Sequence, residues 1–542
     1  MSSTQEQDSV PNEKEAEVVQ SEEPITEVVE SQEERPGALA LTFIVLSVNL
    51  SIFLTCIDLT IIATAIPRIT DQLNSLSSAG WYGSAYFATI AAFQATWGKC
   101  YKYFGLKWTF IVAIFFFELG SLICGVAPNS TALIVGRAVA GIGGGGVGSG
   151  AFTILAFAAS QKRLPVLVGL IGATYALAMV LLVYINLPIG GVVVLIIVLF
   201  FKAPPSAKPQ KTSAREKFLQ LDLAGSALIL AAMICLLLAL QWGGLTKPWG
   251  SSDVIGTLAG FFVITVVFIV NEIWMGERAL LIPRLLRQKT LGLASAYILF
   301  NGAGFYILIY YLPYYFQSVH GVSAAQSGIR NLPYIISTAM CSLTSGAIVS
   351  FTGHYFELQV FGSSLVLIGA GMIYTLGLHS PVGKWIGYQI LAGSGAGLSN
   401  QIPIIVSQTT ARTEDVASVT AVILFFQTIT GAVFISTAQS IFVNGLVKAV
   451  NDNVPDVVPQ YVVVVGAAEL RETFTPDQLA GILRSYMRGL KDAYLFAISL
   501  AGVAVILAVV NAVWDARNLN EEREKRNAGN GDEAAVPIPS AL

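Results

Sequence analysis

Long uncharged apolar stretches, separated by short charged loops, make up most of the sequence between residues 38 and 515. A helix needs about 20 mostly apolar residues to cross a bilayer, and twelve stretches meet this requirement. They predict transmembrane helices near residues 38–67, 81–98, 108–127, 132–158, 222–242, 253–274, 291–317, 326–351, 356–378, 383–405, 415–442 and 493–515. The pattern therefore predicts an all-α polytopic membrane protein.

The uncharged run at residues 164–201 is too long for one span and too short for two spans with a turn. Basic residues follow the second span, the fourth span and this run, and the positive-inside rule places all three loops in the cytoplasm. The run must then cross the membrane an even number of times. We therefore expect two cramped spans broken near Asn186 and Pro188, fourteen spans in total, and both termini in the cytoplasm.

Composition agrees with this assignment, because 54% of the 542 residues are hydrophobic and only 12% are charged. Soluble domains carry about 25% charged residues, so a soluble enzyme is excluded. Residues 1–36 contain eleven acidic and two basic residues and predict a disordered acidic cytoplasmic tail. The five cysteines are odd in number and lie in or beside apolar stretches, which favours buried thiols over disulfides.

Glycine spacing indicates an internal repeat. Gly98 and Gly105 flank the loop after the second span, and Gly346 and Gly353 flank the loop after the tenth at the same spacing. An offset of eight spans predicts two six-helix bundles separated by two inserted helices. The expected segments are an N-terminal bundle at 37–201, a linker with two inserted spans at 202–290, a C-terminal bundle at 291–515 with an outside loop at 443–492, and a cytoplasmic tail at 516–542.

Four motifs resemble those of one transporter family. They are DLTIIATAIP at 58–67, GKCYKYFGLK at 98–107, GRAVAGIG at 136–143 and YINLPIGG at 184–191. Together they resemble the major facilitator superfamily, and within it the fungal fourteen-span drug:proton antiporter branch that includes mycotoxin efflux carriers. The resemblance implies a major facilitator fold that exports small amphipathic molecules, such as a toxin, drug or secondary metabolite, in exchange for protons.

The chain departs from the family pattern at two places. Lys102 stands where the loop motif of the family has Asp, so an Asp-based gating contact cannot be transferred. The antiporter motif of the fifth span, a Gly-Pro followed by Gly-Gly, is missing between Ala178 and Tyr184. Either the gene model has lost a piece there, or the protein is a genuinely altered carrier. The missing motif also leaves a non-transporting remnant as an alternative function.

Ionisable residues inside spans are costly in a bilayer and are candidates for function. Asp58 in the first span, Glu118 in the third and Arg137 in the fourth are such residues. Each is a candidate for proton coupling or for the substrate cavity, and the resemblance links the position of Arg137 to coupling. The alternative for all three is a structural role in holding helices together.

Glycine and lysine residues of the motifs are candidates for gating and helix packing. Gly98, Gly105 and Lys107 belong to the loop motif and are expected to contribute to a cytoplasmic gate, although topology alone explains much of the basic charge. Small residues allow helix backbones to approach closely. The fourth span is therefore expected to pack through glycines that include Gly141, Gly143 and Gly145.

Uncharged side chains could contact a ligand. The ninth span carries an aromatic cluster that includes Tyr306 and Tyr311, which could stack on a flat substrate or lie at the membrane interface. The amides of Asn301, Asn400 and Gln401 could bind a neutral ligand or join helices. An importer of cations would be expected to have more acids in its cavity than Asp58 and Glu118, which favours export of neutral or hydrophobic cargo.

The sequence lacks the motifs that would indicate several other classes of function. No phosphate-binding loop of the G-x-x-x-x-G-K-[ST] type occurs, so ATP-driven transport is excluded for this chain alone. We expect no cofactor, no metal, no nucleic acid and no enzymatic activity. The expected partners are a small-molecule substrate, protons and the lipid bilayer, with a monomeric protein in the plasma membrane or the vacuolar membrane. Proton-coupled uptake of a nutrient, iron chelate or basic amino acid is the alternative with the same fold.

Overall fold

The computed structural model describes residues 37–73, 79–178, 193, 195–199, 201, 209–210, 212–244, 246–465, 467 and 469–514. Its longer helices are α1 (Ala38–Leu73), α2 (Ala79–Phe104), α3 (Leu106–Gly125), α4 (Ser130–Ala158), α5 (Leu164–Ala178), α6 (Leu223–Trp242), α7 (Ser252–Met275), α8 (Lys289–Ser318), α9 (Leu332–Thr352), α10 (Phe356–Tyr374), α11 (Val382–Ser399), α12 (Val416–Asn453) and α13 (Pro476–Trp514). Shorter helices are Ala214–Leu219, Pro283–Leu286, Ala324–Arg330, Ile402–Thr410, Pro459–Val465 and Leu470–Thr473.

Each of the twelve predicted stretches coincides with helix, and the protein is an integral multi-pass membrane protein. Ten helices in the described ranges are long and apolar enough to cross a membrane. The predicted break at Asn186 and Pro188 and the two terminal tails lie outside the described residues. The count of fourteen spans therefore stays a prediction.

The contacts among helices repeat in the two halves. In the N-terminal half α4 packs on α2 and α3, and in the C-terminal half α11 packs on α9 and α10. The first and fifth helices of each half also contact each other, as α1 with α5 and α8 with α12. The glycine repeat thus reflects a repeated arrangement of helices.

The two halves meet along two helix pairs, α2 with α12 and α5 with α9. Gly98 of α2 and Gly346 of α9 lie at these contacts. A Cβ atom at Gly98 would lie 2.3 Å from Ala421 Cβ, and one at Gly346 would lie 2.3 Å from the carbonyl oxygen of Pro165. Glycine at both positions therefore permits the close approach of the halves.

Helices α6 and α7 form the inserted hairpin beside the N-terminal half. Helix α6 packs on α2 and α7, and the Asp222 side chain accepts a hydrogen bond from Gly225 N at the start of α6. Large apolar side chains on α7 are exposed, among them Phe262, Val266 and Trp274. Since a membrane helix faces lipid where it does not face protein, this surface of α7 suits contact with the bilayer.

The segment predicted as an outside loop at 443–492 is helical over much of its length. Helix α12 extends to Asn453 and α13 begins at Pro476, with two short helices between them. These extensions carry charged residues. Arg488 and Asp492, one helical turn apart on α13, form an ion pair. The mixed charge of this segment belongs to helix ends that extend beyond the apolar stretches and to the two short helices between them. Its position outside the membrane stays a prediction.

Candidate functional site

Asp58 of α1 and Arg137 of α4 form a buried ion pair. Arg137 Nη1 lies 2.5 Å from Asp58 Oδ2, and Arg137 Nε donates a hydrogen bond to the carbonyl of Tyr82 at 2.8 Å. The Arg137 residue is only 1% exposed. A buried guanidinium without a partner would be strongly destabilising. The structure therefore joins two candidates that the sequence predicts separately.

Tyr86 of α2 lies between this pair and a cavity. Its ring centroid lies 4.3 Å from Arg137 Cζ, and its hydroxyl donates a hydrogen bond to the Thr55 carbonyl at 3.4 Å. A guanidinium over an aromatic ring is attracted by the electrons of the ring face. Tyr86 also lines a cavity, so a single side chain contacts both the ion pair and the cavity.

Two adjoining cavities lie between the halves. Their volumes are about 60 Å³ and about 30 Å³, and Tyr175, Tyr306 and Gln427 line both. The larger is also lined by Thr55, Cys56, Tyr86, Phe87, Ile90, Gln94, Gly144, Gly148, Leu424 and Thr428. The smaller is also lined by Gly172, Ala176, Phe305, Thr338, Ser342, Ala396, Gly397, Asn400 and Gln401.

The walls of these cavities carry no ionised side chain in the described part of the chain. None of the lining residues is Asp, Glu, Lys, Arg or His. Asp58 and Arg137 lie behind Tyr86 and line neither cavity. Glu118 of α3 also lines neither, and its buried carboxylate oxygens have no hydrogen-bond partner among the described residues. The structure thus separates the charged candidates from the cavity surface.

The uncharged candidates divide between the cavity and the helix contacts. Gln401 lines the smaller cavity, is 7% exposed, and its Oε1 has no hydrogen-bond partner in the described ranges. Asn301 instead donates to Asn400 Oδ1 at 2.6 Å and to Ser399 Oγ at 3.1 Å. Asn301 therefore joins helices, whereas the Gln401 side chain lies on the cavity wall.

The aromatic cluster of α8 lies mostly inside the C-terminal half. Tyr311, Tyr315 and Phe316 are fully buried, and Tyr311 donates a hydrogen bond to Gln439 Oε1 at 2.9 Å. Only Tyr306 of this cluster lines the two cavities. The cluster therefore packs against protein, and one member belongs to the candidate binding site.

The halves are also joined by charge at one end, which we term the predicted cytoplasmic end. Lys102 Nζ lies 3.1 Å from Asp415 Oδ1, and Arg284 Nη1 lies 3.1 Å from Asp415 Oδ2. Arg284 also pairs with Glu277 at 2.8 Å. Hydrogen bonds to Glu277 and Asp415 raise the pKa of Arg284 above its ordinary value. Asp415, which precedes α12, thus forms ion pairs with Lys102 of the N-terminal half and with Arg284 of the linker.

The other residues of the loop motif contact their own half or adopt special backbone geometry. Lys107 Nζ donates to the Val198 carbonyl at 2.8 Å. Gly105 has a φ of 90° and Gly353 a φ of 75°, a backbone conformation that favours glycine.

At the position in α9 that matches Lys102, Ser350 donates a hydrogen bond to the Lys162 carbonyl of the opposite half. Lys102, rather than Lys107, is therefore the lysine of the motif that bridges the halves.

The glycines of α4 lie where neighbouring helices come closest. A Cβ at Gly141 would lie 2.1 Å from Thr89 Oγ1, and one at Gly143 would lie 2.1 Å from the backbone nitrogen of Phe117. Gly145 is less tightly packed, with Ile90 O at 3.3 Å. These distances leave no room for a side chain at Gly141 or Gly143 without movement of α2 or α3.

Residues 48–435 match the family model of the Major Facilitator Superfamily. The chain belongs to this family. It is 44% identical over 507 residues to the MFS-type transporter grgE of a Penicillium species, which covers 90% of each protein. It is 42% identical over 487 residues to the MFS-type efflux pump MFS1 of Trichophyton rubrum, covering 87% of this chain and 91% of that protein.

A solved structure supports the same fold. The human organic anion transporter MFSD10 superimposes with a TM-score of 0.57 at 14% identity, covering 86% of this chain and 99% of that one. At this identity the likeness establishes the fold alone. The repeated bundles and the inserted hairpin described above are thus features of a member of the superfamily.

Several residues of the site gave no signal in the sequence. Tyr86, Tyr175 and Gln427 are uncharged residues within apolar helices, where they resemble ordinary packing residues. Asp415 stands at the predicted start of a span, and its pairing with Lys102 depends on two helices far apart in sequence. The departure of Lys102 from the family motif is the one sequence feature that could have directed a search for an acidic partner.

The described residues contain no group of three or more His, Cys, Asp or Glu side chains placed to hold a metal ion.

Proposed function

We propose that this protein is a proton-coupled efflux carrier for small secondary metabolites, in which Asp58 and Arg137 couple proton movement to transport. The observation that carries the proposal is the buried pair beside Tyr86, whose ring also lines the cavity between the halves. The relative from Trichophyton rubrum is named an efflux pump, which supports export over uptake. The shared length with the relatives also favours a working carrier over a remnant.

Protonation of Asp58 would remove the partner charge of Arg137. A buried guanidinium then gains from a new hydrogen-bond acceptor or from movement of the helices that surround it. Because Tyr86 packs on Arg137 and also lines the cavity, a shift of Arg137 changes the cavity wall. Proton binding and cargo binding are in this way linked through one side chain.

Alternating access requires the halves to separate at each end in turn. At the predicted cytoplasmic end, the Lys102–Asp415 pair and the glycine contact at Gly98 join the halves. We propose that these contacts, with the turn at Gly105, form the cytoplasmic gate. Lys107 belongs to the same loop motif but donates to the Val198 carbonyl of its own half, so this contact does not join the halves.

The proposal includes the placement of the chain in the membrane. Both termini are cytoplasmic, the bundles comprise residues 37–201 and 291–515, and the protein acts as a monomer in the plasma membrane. The positive loops carry this orientation. Labelling of single introduced cysteines from each side of intact cells tests it.

The coupling proposal is tested with purified protein in sealed vesicles that contain a pH-sensitive dye. Addition of a panel of small aromatic metabolites to vesicles with an imposed pH gradient should release internal protons in the wild type. Asp58→Asn should reduce this release at least tenfold, because the amide cannot exchange a proton. Asp253→Asn is the control, since Asp253 is an exposed acid paired with Lys247. Equal proton release by both variants would contradict the proposal.

A further inference from the structure

We propose that Asp222 and Glu272 form a second proton-binding site, in which their carboxyl groups share one proton and hold the linker segment at residues 279–282. Asp222 precedes α6, and Glu272 lies in the last turn of α7. The site therefore belongs to the inserted hairpin and is separate from the Asp58–Arg137 pair.

The two carboxyl groups meet beside Gly225, in the first turn of α6. A Cβ atom at Gly225 would lie 2.5 Å from Asp222 Oδ2 and 2.9 Å from Glu272 Oε1. Both oxygens therefore approach the same place, which is open because residue 225 is glycine. Asp222 is 3% exposed and Glu272 is 5% exposed. Two acidic side chains from the two helices of the hairpin are thus buried in contact with each other.

One oxygen of this pair has no hydrogen-bond donor in the described part of the chain. Asp222 accepts hydrogen bonds from Gly225 N and Leu280 N, and Glu272 Oε2 accepts one from Leu281 N at 2.6 Å. Glu272 Oε1, which lies beside Asp222, is buried and receives none there. An ionised carboxylate can only accept, so a proton on one of the two carboxyl groups supplies the missing donor.

The charges around the pair favour one bound proton. Lys99 of α2 faces the pair, but its ammonium donates to the Glu277 carbonyl at 2.6 Å and to Gln220 Oε1 at 3.2 Å. Lys99 is 1% exposed, so the buried group combines one basic and two acidic side chains. A single shared proton makes this group neutral, which avoids the cost of an uncompensated buried charge.

The other charged groups at this end of the molecule pair with one another. They form the ion pairs Arg278–Glu216, Arg284–Glu277 and Lys102–Asp415. Among the residues that the structure describes, no lysine or arginine forms an ion pair with Asp222 or Glu272. A proton is therefore the positive charge that this pair lacks.

The site holds the linker that reaches the C-terminal half. Two consecutive backbone N–H groups, those of Leu280 and Leu281, donate to the two carboxyl groups. The short helix Pro283–Leu286 follows, and its Arg284 pairs with Asp415. Loss of the shared proton places two negative charges in one buried site. This repulsion weakens the attachment of the linker.

The direction of the pH effect follows from the number of bound protons. The attached linker keeps the pair buried with one proton, whereas release of the linker exposes both carboxyl groups to water, where they ionise at neutral pH. The attached state therefore binds more protons and is favoured at low pH. Its stability should fall as the pH rises past the point at which the pair loses its proton, by at most about tenfold per pH unit for one proton.

Infrared spectroscopy of the full-length protein in lipid nanodiscs tests the shared proton. A protonated carboxyl group has a carbonyl stretching band that carboxylates lack and that shifts in heavy water. At neutral pH we expect Glu272→Gln and Asp222→Asn each to lose one such band. The double variant should lose no second band, because the two groups share one proton. Glu357→Gln, at an exposed position on α10, is the control and should keep the band.

Hydrogen exchange of the peptide that contains residues 279–286 tests the attachment of the linker. After correction for the intrinsic rate, exchange in the wild type should accelerate by up to about tenfold per pH unit as the pair loses its proton. Glu272→Gln should show no such acceleration, because its amide cannot ionise and still offers an acceptor to Leu281. Glu357→Gln should follow the wild type. Thermal unfolding establishes that each variant is folded, and Asp222→Asn, which keeps an oxygen for Gly225 N, provides a second variant.

Several results would overturn the assignment. They are absence of the band at neutral pH, loss of a second band in the double variant, and pH-dependent exchange of the linker that persists in Glu272→Gln. Loss of the band on addition of sodium or calcium would show a site for a metal cation instead. Asp58→Asn should leave the band unchanged, since the two sites are separate. Failure of proton coupling at Asp58 is therefore distinguishable from failure of this proposal.

Discussion

Arg137 of α4 and Gln389 of α11 make the same hydrogen bond in the two halves of the protein. Arg137 Nε donates to the Tyr82 carbonyl at 2.8 Å, and Gln389 Nε2 donates to the Arg330 carbonyl at 3.1 Å. Both side chains are almost fully buried. The repeated fold therefore presents a charged donor in one half and a neutral donor in the other.

Asp58, the acid of the ion pair, also has a neutral equivalent in the C-terminal half. Tyr86 donates to the Thr55 carbonyl and Tyr334 donates to the Phe305 carbonyl, each at 3.4 Å. Three residues further along the respective helices stand Asp58 and Leu308. The C-terminal half thus shows that this helix arrangement forms with Leu and Gln in place of the ion pair.

This equivalence predicts how the ion pair can be removed without loss of the fold. Asp58→Leu alone should destabilise the protein by about 3–5 kcal/mol, because Arg137 is left buried without its partner. The double variant Asp58→Leu with Arg137→Gln should recover most of that loss and show no gradient-dependent transport. Thermal unfolding and vesicle transport measure the two effects. A double variant as unstable as the single one would show that the halves are not equivalent here.

Tyr86 should affect coupling through its ring. Tyr86→Phe keeps the ring over Arg137 and loses only the hydrogen bond to the Thr55 carbonyl. Tyr86→Leu removes an attraction of about 0.5–2 kcal/mol. We expect at most a twofold change in proton release per cargo for the phenylalanine variant and a severalfold decrease for the leucine variant. Equal effects of the two would assign the role to the hydroxyl.

The Lys102–Asp415 pair should control opening at the predicted cytoplasmic end. Cys56 lines the larger cavity and can report access once the other four cysteines are replaced by serine. Lys102→Gln and Asp415→Asn should each increase its labelling by an impermeant maleimide applied from that end. Because both remove the same contact, the double variant should be less than additive.

Lys107→Gln is the matched control for this experiment, since the hydrogen bond of Lys107 in the described part of the chain goes to the Val198 carbonyl of its own half. It should leave labelling of Cys56 unchanged. Additive effects of Lys102→Gln and Asp415→Asn, or an increase in the control equal to theirs, would refute a specific contact between the halves.

The loss of stability caused by replacing a glycine of α4 should depend on how closely a neighbouring helix approaches that glycine. Gly143→Ala places a methyl group 2.1 Å from the backbone nitrogen of Phe117, whereas Gly148→Ala meets only the end of the Gln94 side chain at 3.6 Å. We expect Gly143→Ala to lower stability by about 1–3 kcal/mol and Gly148→Ala to have little effect. Melting temperatures in detergent compare the two, and a reversed order would contradict the close packing of α3 and α4.

The sequence predicted the helices because twelve apolar stretches are long enough to cross a bilayer. It also identified Asp58 and Arg137, since a charge within such a stretch is conspicuous. It could not pair them, because they belong to different helices and only packing decides which helices are neighbours. Glu118 had the same signal, but the structure gives its carboxylate no partner among the described residues.

The cavity was harder to predict. Tyr306 and Gln401 were among the candidates, but their neighbours in the same sequence stretches, Tyr311 and Asn301, are used for packing. Tyr175 and Gln427 come from opposite halves and meet only after the bundles assemble. A neutral binding surface therefore has little sequence signature, because its residue types also serve ordinary helix packing.

The Asp58–Arg137 pair has no charged equivalent at the matching positions of the C-terminal half, Leu308 and Gln389, and this would give the proposed transport cycle an electrical component. While Asp58 is ionised, its pair with Arg137 has no net charge, and a proton bound there leaves one positive charge within the protein. A voltage of 100 mV changes the energy of a unit charge that crosses the whole membrane by about 2.3 kcal/mol. In the proposed mechanism, the resting voltage of the cell therefore influences proton occupancy even when the pH is equal on both sides.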